Sequence, residues 1–343
     1  MTGTWSDFLA QRGARLEGTA LAFGPPAEDA KLSVQGAALV PLTHLGLIRA
    51  RGEEAANFFH NLFSNDVKNQ APDQARWNSF NSPKGRMLAS FLVWRQGDDY
   101  LMALSADLQP SLLKKLAMYV LRAKVKLDDP AQDQILLGVA GPTAASVLES
   151  VGLAPLPEVM EVAAQADAQV IRMTEQAFVL ATSPAAAPAL FDRLAGAGAR
   201  PAGTAAWQAA SVAAGLPLVT QPTQEEFVAQ MLNFELIGGV SFNKGCYPGQ
   251  EIVARTHYLG KLKKRMYRLH LADGPAPAPG QDLYAPDFAD QSAGKLVNVA
   301  PSPQGGFEAL AVLQTSSAEA GEVHLGAPDG PRLAFLPLPY ALP

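Results

Sequence analysis

The chain has 343 residues, a length that predicts two or three domains at about 150 residues each. Hydrophobic residues make up 48% and charged residues 17%, a composition that argues against disorder. The net charge of −5 argues against a protein that coats nucleic acid with its whole surface, although it is compatible with a local basic patch.

The number of cysteines and the lengths of the apolar runs indicate the cellular compartment of the protein. Cys246 is the only cysteine, which excludes an intramolecular disulfide and any zinc or cluster site made of four cysteines from one chain, and which fits a reducing compartment. The sequence starts without a basic segment and a long apolar run, and no apolar stretch approaches about 18 residues. We therefore expect a cytoplasmic protein that makes no contact with a membrane.

The first third of the chain is predicted to form a peripheral segment and then an α+β unit. In the peripheral segment, Ser6 or Asp7 is positioned to cap a short helix through Leu16, and a Gly-Pro-Pro break at 24–26 follows it. The apolar run 37–48 predicts one strand, and Glu53-Glu54 begins a helix with an apolar face. Three strand-like runs and one helix follow, at 75–80, 86–95, 100–104 and about 107–121.

The same order of elements is repeated in the middle of the chain, where the sequence patterns that indicate it are weaker. A strand, a helix and a hairpin are predicted at 134–140, 143–151, 169–173 and 177–182, with a last helix that ends near Leu194. The repeat predicts two related α+β halves packed side by side. Beyond Gly274, short strand-like runs between glycines and prolines predict a separate C-terminal β-barrel or sandwich.

The densest run of chemistry-bearing residues is 241–255, SFNKGCYPGQEIVAR. Gly245 and Gly249 permit a tight loop, and the first turn of a helix is expected at Gln250 and Glu251. Arg255 follows Glu251 by four residues, a spacing that favours an ion pair on one helix face.

Cys246 is a candidate reactive residue within this run. It is predicted to precede the helix N-terminus, with Lys244 two residues away, and both neighbours favour a thiolate. An inert, packed cysteine is the alternative, and the sequence leaves the two readings open. A nucleophilic pair with His257 is disfavoured, because nothing in the sequence brings the two side chains together.

A cluster of positive charge follows the motif. Residues 251–270 contain six basic residues against the single acid Glu251: Arg255, Lys261, Lys263, Lys264, Arg265 and Arg268. An excess of positive charge of this kind is typical of a surface that binds a phosphate backbone, and also of the solvent-exposed edge of a strand. The alternation of apolar residues at 267, 269 and 271 favours the strand edge.

The histidines and the glycine patterns bear on metal and nucleotide binding, and Trp207 bears on the binding of an aromatic ligand. The five histidines show no spacing typical of metal ligands, so we expect no permanent metal site, and neither a GxxxxGK[ST] loop nor a helix-opening GxGxxG is present. Trp207 stands ahead of the turn sequence 214–217, AGLP. Its indole is suited either to the core or to stacking on an aromatic ligand.

Residues 244–251, KGCYPGQE, closely resemble the K-G-C-[YF]-x-G-Q-E signature of the YgfZ-type folate-binding proteins. That family is related to the glycine-cleavage T-protein, an aminomethyltransferase, and to mitochondrial factors that help to mature iron–sulfur proteins. The likeness covers the chain from about residue 37, and it is carried by segments at 84–87, 136–141, 214–217 with Trp207, 236–261 and 336–340.

The resemblance implies a fold of two ferredoxin-like α+β halves and a C-terminal β-barrel arranged, as in the T-protein, around a central folate site. The division predicted on this basis is a peripheral segment, two α+β halves and the barrel, at 1–34, 35–130, 131–260 and 261–343. It also implies a tetrahydrofolate-binding accessory protein that supports the assembly or repair of iron–sulfur enzymes, including one that methylthiolates tRNA. Its partners would be those enzymes or cluster-assembly proteins.

The resemblance also implies roles for individual residues. Lys244 and Cys246 would be the functional centre of the loop. Trp207 would contact the folate, and the other implied folate-binding residues are Tyr247, Gly249, Gln250, Glu251 and Arg255.

Three departures from the family patterns bear on the activity. Leu45 stands where family members can carry a second tryptophan, and Ala89 and Ser90 stand where the T-protein has a catalytic aspartate. The T-G-E segment of the T-protein has no clear counterpart near 174–176. Because a serine cannot replace a positioned carboxylate in proton transfer, aminomethyl transfer is disfavoured.

Two other functions remain as alternatives to the accessory role. One is a folate-dependent one-carbon transferase, for which turnover of a one-carbon adduct would be the evidence. The other is a protein that binds tRNA directly through residues 255–268, which we regard as disfavoured and which requires RNA binding with a steep salt dependence.

Overall fold

The computed structural model describes residues 4–258, 260 and 262–343. Its N-terminal elements are α1 (Trp5–Gln11), β1 (Arg15–Glu17), β2 (Ala20–Ala22) and α2 (Pro26–Gln35). The next elements are β3 (Ala38–Pro41), β4 (Leu45–Arg51), α3 (Ala55–Leu62), β5 (Arg76–Asn81), β6 (Met87–Gln96), β7 (Asp99–Ser105), α4 (Gln109–Val120) and β8 (Lys126–Asp128).

The middle of the chain forms β9 (Ile135–Ala140), α5 (Ala144–Ser150), β10 (Val162–Ala164), β11 (Gln169–Thr174), β12 (Ala177–Thr182), α6 (Ala187–Gly196), β13 (Arg200–Pro201) and α7 (Thr204–Ala213). The remaining elements are α8 (Gln250–Tyr258), β14 (Lys264–Leu271), β15 (Asp282–Tyr284), β16 (Gly294–Pro301), β17 (Phe307–Gln314), α9 (Thr315–Ala320), β18 (Val323–Leu325) and β19 (Arg332–Leu336).

β1 and β2 pair only with each other, and the other strands form two larger sheets and a closed barrel. The first sheet has five strands in the order β5-β6-β7-β4-β8, and the second has six in the order β10-β11-β12-β9-β3-β13. The barrel runs β14-β17-β16-β15-β18-β19 and closes because β14 also pairs with β19. The predicted mixed α+β fold is therefore confirmed, and of the two C-terminal alternatives the structure has the barrel.

The prediction of a single strand over 37–48 is wrong. A β-turn, in which the Leu45 amide donates to the Leu42 carbonyl at 3.0 Å, divides this run into β3 and β4. β3 pairs with β9 of the second sheet, whereas β4 pairs with β7 of the first. The periodicity did not reveal the turn because β3 is buried throughout its length, so the apolar run continues across the sheet boundary.

The N-terminal segment differs from the prediction in its cap and in its packing. Thr4, rather than Ser6 or Asp7, caps α1 and forms a capping box with Asp7, and the helix ends at Gln11. The segment buries Leu9 and Leu21 in the core. Asp29 accepts a hydrogen bond from the Gly203 amide at 2.8 Å, which ties α2 to the start of α7. The proposed boundaries at 34, 130 and 260 stay a prediction.

None of the helices formed by the described residues is both long and apolar enough to cross a membrane. No cluster of three or more His, Cys, Asp or Glu side chains within the described ranges is arranged to hold a metal ion.

Candidate functional site

A cavity of about 240 Å³ lies where the two large sheets meet α7 and the barrel. Leu45 and Trp77 line it from the first sheet, Val179 from the second, Trp207 from α7 and Val299 from the barrel. Its wall is mainly apolar with a small number of polar groups, and this composition at a junction between structural units is typical of a small-molecule site.

Trp207 belongs to both the core and the cavity wall. Its side chain is 7% exposed, and it packs on Gly138 of β9. A Cβ atom added at Gly138 would lie only 2.5 Å from the indole Cε3, so the absence of a side chain there lets the indole approach the strand. Trp207 can therefore be both a core residue and a residue that contacts a ligand, because a ring packed against a strand can still line the cavity.

A second tryptophan, Trp77 on β5, lines the same cavity. It is 9% exposed, and Leu45, at the position where the resemblance implies a second tryptophan, also contributes to the wall. The sequence analysis missed Trp77 because β5 is buried on both of its faces, so no alternation marks a residue that faces a cavity.

The position that matches the catalytic aspartate of the T-protein is closed to such a role. Ser90 is fully buried, and its hydroxyl accepts a hydrogen bond from the Val219 amide at 2.8 Å. Asp107 is the residue that brings a carboxylate to the cavity wall. It is exposed, and it accepts a hydrogen bond from the Gln221 amide at 2.9 Å.

His44 is a further polar residue of the cavity wall. It lies in the turn between β3 and β4, and its side chain is buried. Burial lowers the pKa of His44 to about 4, so that its imidazole is neutral at pH 7.

The 244–251 loop lies against the C-terminal end of α3. The Lys244 ammonium donates hydrogen bonds to the carbonyl oxygens of His60 and Phe63, and it also lies 4.7 Å from the centre of the Tyr247 ring. Burial lowers the pKa of Lys244 to about 8 and raises the pKa of Tyr247 to about 12. The Lys244 side chain thereby satisfies carbonyls that the end of a helix leaves without partners.

The loop is also held against the turn between β5 and β6. Gly249 has a φ of +77°, and a Cβ atom there would lie 2.5 Å from the Ser82 carbonyl oxygen. This position therefore requires glycine for both its conformation and its close contact. The predicted helix begins at Gln250 as expected, and the side-chain Nε2 of Gln230 donates to the Val253 carbonyl at 2.6 Å.

Cys246 is exposed, and His60 lies beside Gly245 of the same loop. His60 Nδ1 lies 3.0 Å from Asp66 Oδ1, and its Nε2 lies 3.8 Å from the position of a Cβ atom at Gly245. Burial and the charge of Lys244 lower the pKa of His60, against the opposing effect of Asp66. His257 instead stacks on Phe242 at a centroid distance of 3.7 Å.

The predicted site residues thus fall into two groups. Trp207 lines the cavity, whereas the described cavity wall includes none of Lys244, Cys246, Tyr247, Gly249, Gln250, Glu251 and Arg255. Glu251 and Arg255 are exposed on α8, and the ion pair expected between them is absent from the described residues. The structure therefore places the 244–251 loop outside the described cavity wall. Asn65 donates hydrogen bonds to the carbonyls of Trp77, which lines the cavity, and Gly238, which precedes the loop in the chain.

The basic segment is partly neutralised by ion pairs. Arg265 pairs with Glu235 at 2.6 Å, and Arg268 pairs with Glu308 at 2.5 Å. Lys264 to Leu271 form a barrel strand, as the alternation predicted. Lys261 lies outside the described residues.

Comparisons with known proteins agree with this architecture. Residues 19–240 match the family described as the GCVT N-terminal domain. The tRNA-modifying protein YgfZ of Escherichia coli O7:K1 (strain IAI39 / ExPEC) is 26% identical over 321 residues, which cover 93% of this chain and 98% of that protein. The protein of the same description from Shigella sonnei (strain Ss046) has the same identity and coverage.

A solved structure shows the same fold. The crystal structure of the glycine cleavage system aminomethyltransferase T from Bartonella henselae matches with a TM-score of 0.79 at 18% identity, over 98% of this chain and 96% of that one. The resemblance to the YgfZ-type proteins and to their T-protein relatives, first indicated by residues 244–251, is confirmed.

Proposed function

The chain belongs to the family of the GCVT N-terminal domain, and from this premise we propose that it is a tetrahydrofolate-binding accessory protein. We propose further that it supports the assembly or repair of iron–sulfur enzymes, including one that modifies tRNA. The fold proposed with this role is a pair of ferredoxin-like halves and a barrel around a central folate site.

The observation that carries the proposal is the cavity with Trp207 and Trp77 in its wall. The pterin of a reduced folate is a flat, partly aromatic ring with a polar edge. A mainly apolar cavity with two indoles in its wall and the imidazole of His44, whose Nδ1 lacks a partner among the described residues, suits such a ring in polarity. The residues present therefore suit the ligand that the family implies, and bound folate would supply a carrier for one-carbon groups.

The loop supports the accessory role rather than a complete active site. Cys246 is exposed on a loop that Lys244 and Gly249 hold in place, so a partner protein can reach its thiol. A single cysteine cannot hold a cluster alone, so contact with a cluster would be transient or shared with the partner.

The one-carbon transferase is retained as a second candidate because Asp107 brings a carboxylate to the cavity. Ser90, with its hydroxyl tied to the Val219 amide, argues against it. Incubation with tetrahydrofolate carrying a one-carbon group, followed by mass spectrometry of the folate, separates the two functions. Catalytic turnover favours the transferase, whereas binding without turnover favours the accessory protein.

The test of the proposal is a calorimetric titration with tetrahydrofolate under anaerobic conditions. We expect saturable binding near one ligand per chain. The Trp207→Ala variant should bind several-fold more weakly, because stacking on an aromatic ring contributes about 0.5–1.5 kcal/mol beyond burial. Absence of binding by the unaltered protein would overturn the folate proposal.

A further inference from the structure

His44 lies where the chain crosses from one large sheet to the other. It occupies the turn from Leu42 to Leu45, between β3 of the second sheet and β4 of the first. Its carbonyl accepts a hydrogen bond from the Ala106 amide at 2.9 Å, so the backbone of the turn is fixed at the end of β7. The side chain is thus presented at the junction that forms the cavity.

The imidazole of His44 has an unsatisfied hydrogen-bonding atom in this position. The side chain is 9% exposed, and its buried Nδ1 has no hydrogen-bond partner among the residues that the structure describes. Such an orphaned atom costs free energy, and in native proteins it calls for a specific explanation.

Two buried or half-buried polar side chains of the cavity wall, Asn298 and Thr204, are already engaged. Asn298 exchanges two hydrogen bonds with the Leu218 backbone, each at 2.8 Å. The Thr204 hydroxyl accepts from the Leu21 amide at 2.9 Å. Of the buried side-chain atoms without a partner in the described part of the chain, His44 Nδ1 alone belongs to a residue of this wall.

We propose that His44 is a ligand-contacting residue of the cavity, and that its imidazole exchanges a hydrogen bond with the polar edge of a flat heteroaromatic ring held beside Trp207. The inference rests on the proposed function and deepens it by naming the residue that selects the ring. A neutral imidazole presents either a donor or an acceptor nitrogen according to its tautomer, so one nitrogen can pair with either kind of group on a pterin edge where donors and acceptors alternate. A purely hydrocarbon ring would leave the nitrogen unsatisfied and would be rejected.

The test compares His44→Phe with His44→Gln in the anaerobic tetrahydrofolate titration. Phe keeps a flat ring without hydrogen-bonding atoms, so we expect binding to weaken about tenfold. Gln keeps a donor and an acceptor, so it should lose less affinity than Phe. His270→Phe on the barrel strand β14, outside the described cavity wall, is the matched control and should bind as the unaltered protein does.

Thermal unfolding of the ligand-free proteins separates ligand contact from a structural role. Removal of an orphaned nitrogen should leave the unfolding temperature of His44→Phe equal to or above that of the unaltered protein. If Phe is too large for the turn, His44→Leu and His44→Gln carry the same comparison. Equal tetrahydrofolate affinity in all His44 variants, with the unaltered protein binding normally, overturns this inference alone. Absence of binding by the unaltered protein overturns the proposed function and this inference with it.

Discussion

Lys244 and Cys246 stand two residues apart, but their side chains have different surroundings. The Lys244 ammonium is turned inward, onto the carbonyls of His60 and Phe63, and the Cys246 thiol is exposed. Lys244 therefore ties the loop to the end of α3, and of the two side chains the Cys246 thiol is the exposed one. His60 and Asp66, which the sequence analysis did not single out, lie beside the same loop.

The Cys246→Ala variant should fold normally and fail to support iron–sulfur enzymes. Substitution of an exposed residue away from packing usually changes the free energy of unfolding by less than about 0.5 kcal/mol. The measurement is the amount of methylthiolated nucleoside in tRNA from cells that depend on this protein, together with the unfolding temperature of the purified variant. Full complementation by the stable variant would contradict a role for the thiol.

His44 should make the stability of the ligand-free protein depend on pH. Its pKa is about 4 in the fold, below the ordinary value of about 6.5. Between these values the unfolded chain binds more protons, so the stabilisation is present above about pH 6.5 and is lost as the pH falls toward 4. The urea midpoint should therefore fall more between pH 7 and pH 4 in the unaltered protein than in His44→Phe. An equal decrease of the urea midpoint between pH 7 and pH 4 in the two proteins would show that burial of His44 does not govern this loss of stability.

At the scale of secondary-structure elements, the contact between α7 and β9 decides where the indole of Trp207 lies. Gly138 is the point of closest approach, because any Cβ there would meet the ring. β9 therefore supports the cavity wall through Trp207, although no residue of β9 belongs to the described cavity wall itself and its backbone pairs with β12 and β3.

Gly138→Ala should weaken tetrahydrofolate binding by displacing Trp207 without removing it. The added methyl group would lie 2.5 Å from Cε3 and 2.6 Å from Cζ3 of the indole, so the ring must shift. Such overpacking usually costs about 1–3 kcal/mol, and we expect a several-fold loss of affinity in the calorimetric titration. Gly196→Ala in α6, where the added methyl group meets nothing within 4 Å, is the control. Equal affinity in both variants would show that the position of the indole is unimportant for the ligand.

At the scale of the whole molecule, part of the basic segment is built into the barrel and neutralised there. Arg265 and Arg268 lie on β14 and make ion pairs with Glu235 and Glu308, which join the barrel strand to its surroundings. Two of the six cations counted in the sequence are thus neutralised within the fold, which weakens the case for a phosphate-binding surface.

The purified protein should bind tRNA weakly, with a shallow dependence on salt. Proteins that bind through many phosphate contacts lose about 10³–10⁵ in affinity between 50 and 200 mM salt. Filter binding over that range checks the expectation, with Lys263→Glu/Lys264→Glu as the comparison. Steep salt dependence that the double variant abolishes would favour direct tRNA recognition over the accessory role.

The sequence by itself determined the local features. The 177–182 strand has the predicted bounds, and the helix of the motif begins at the predicted Gln250. Glycines, prolines and apolar periodicity mark such elements because they act within a few residues of themselves. The signature at 244–251 also indicated the family, since it depends on contiguous residues.

The tertiary structure alone decided which residues share a site. It divided the apolar run 37–48 between two sheets, brought Trp77, His44 and Trp207 to one cavity, and placed His60 beside Gly245 in the loop of Cys246. A strand buried on both faces has no periodicity that distinguishes a core position from a cavity wall. Contacts between residues far apart in the chain depend on how the sheets pack, and nothing local in the sequence records that packing.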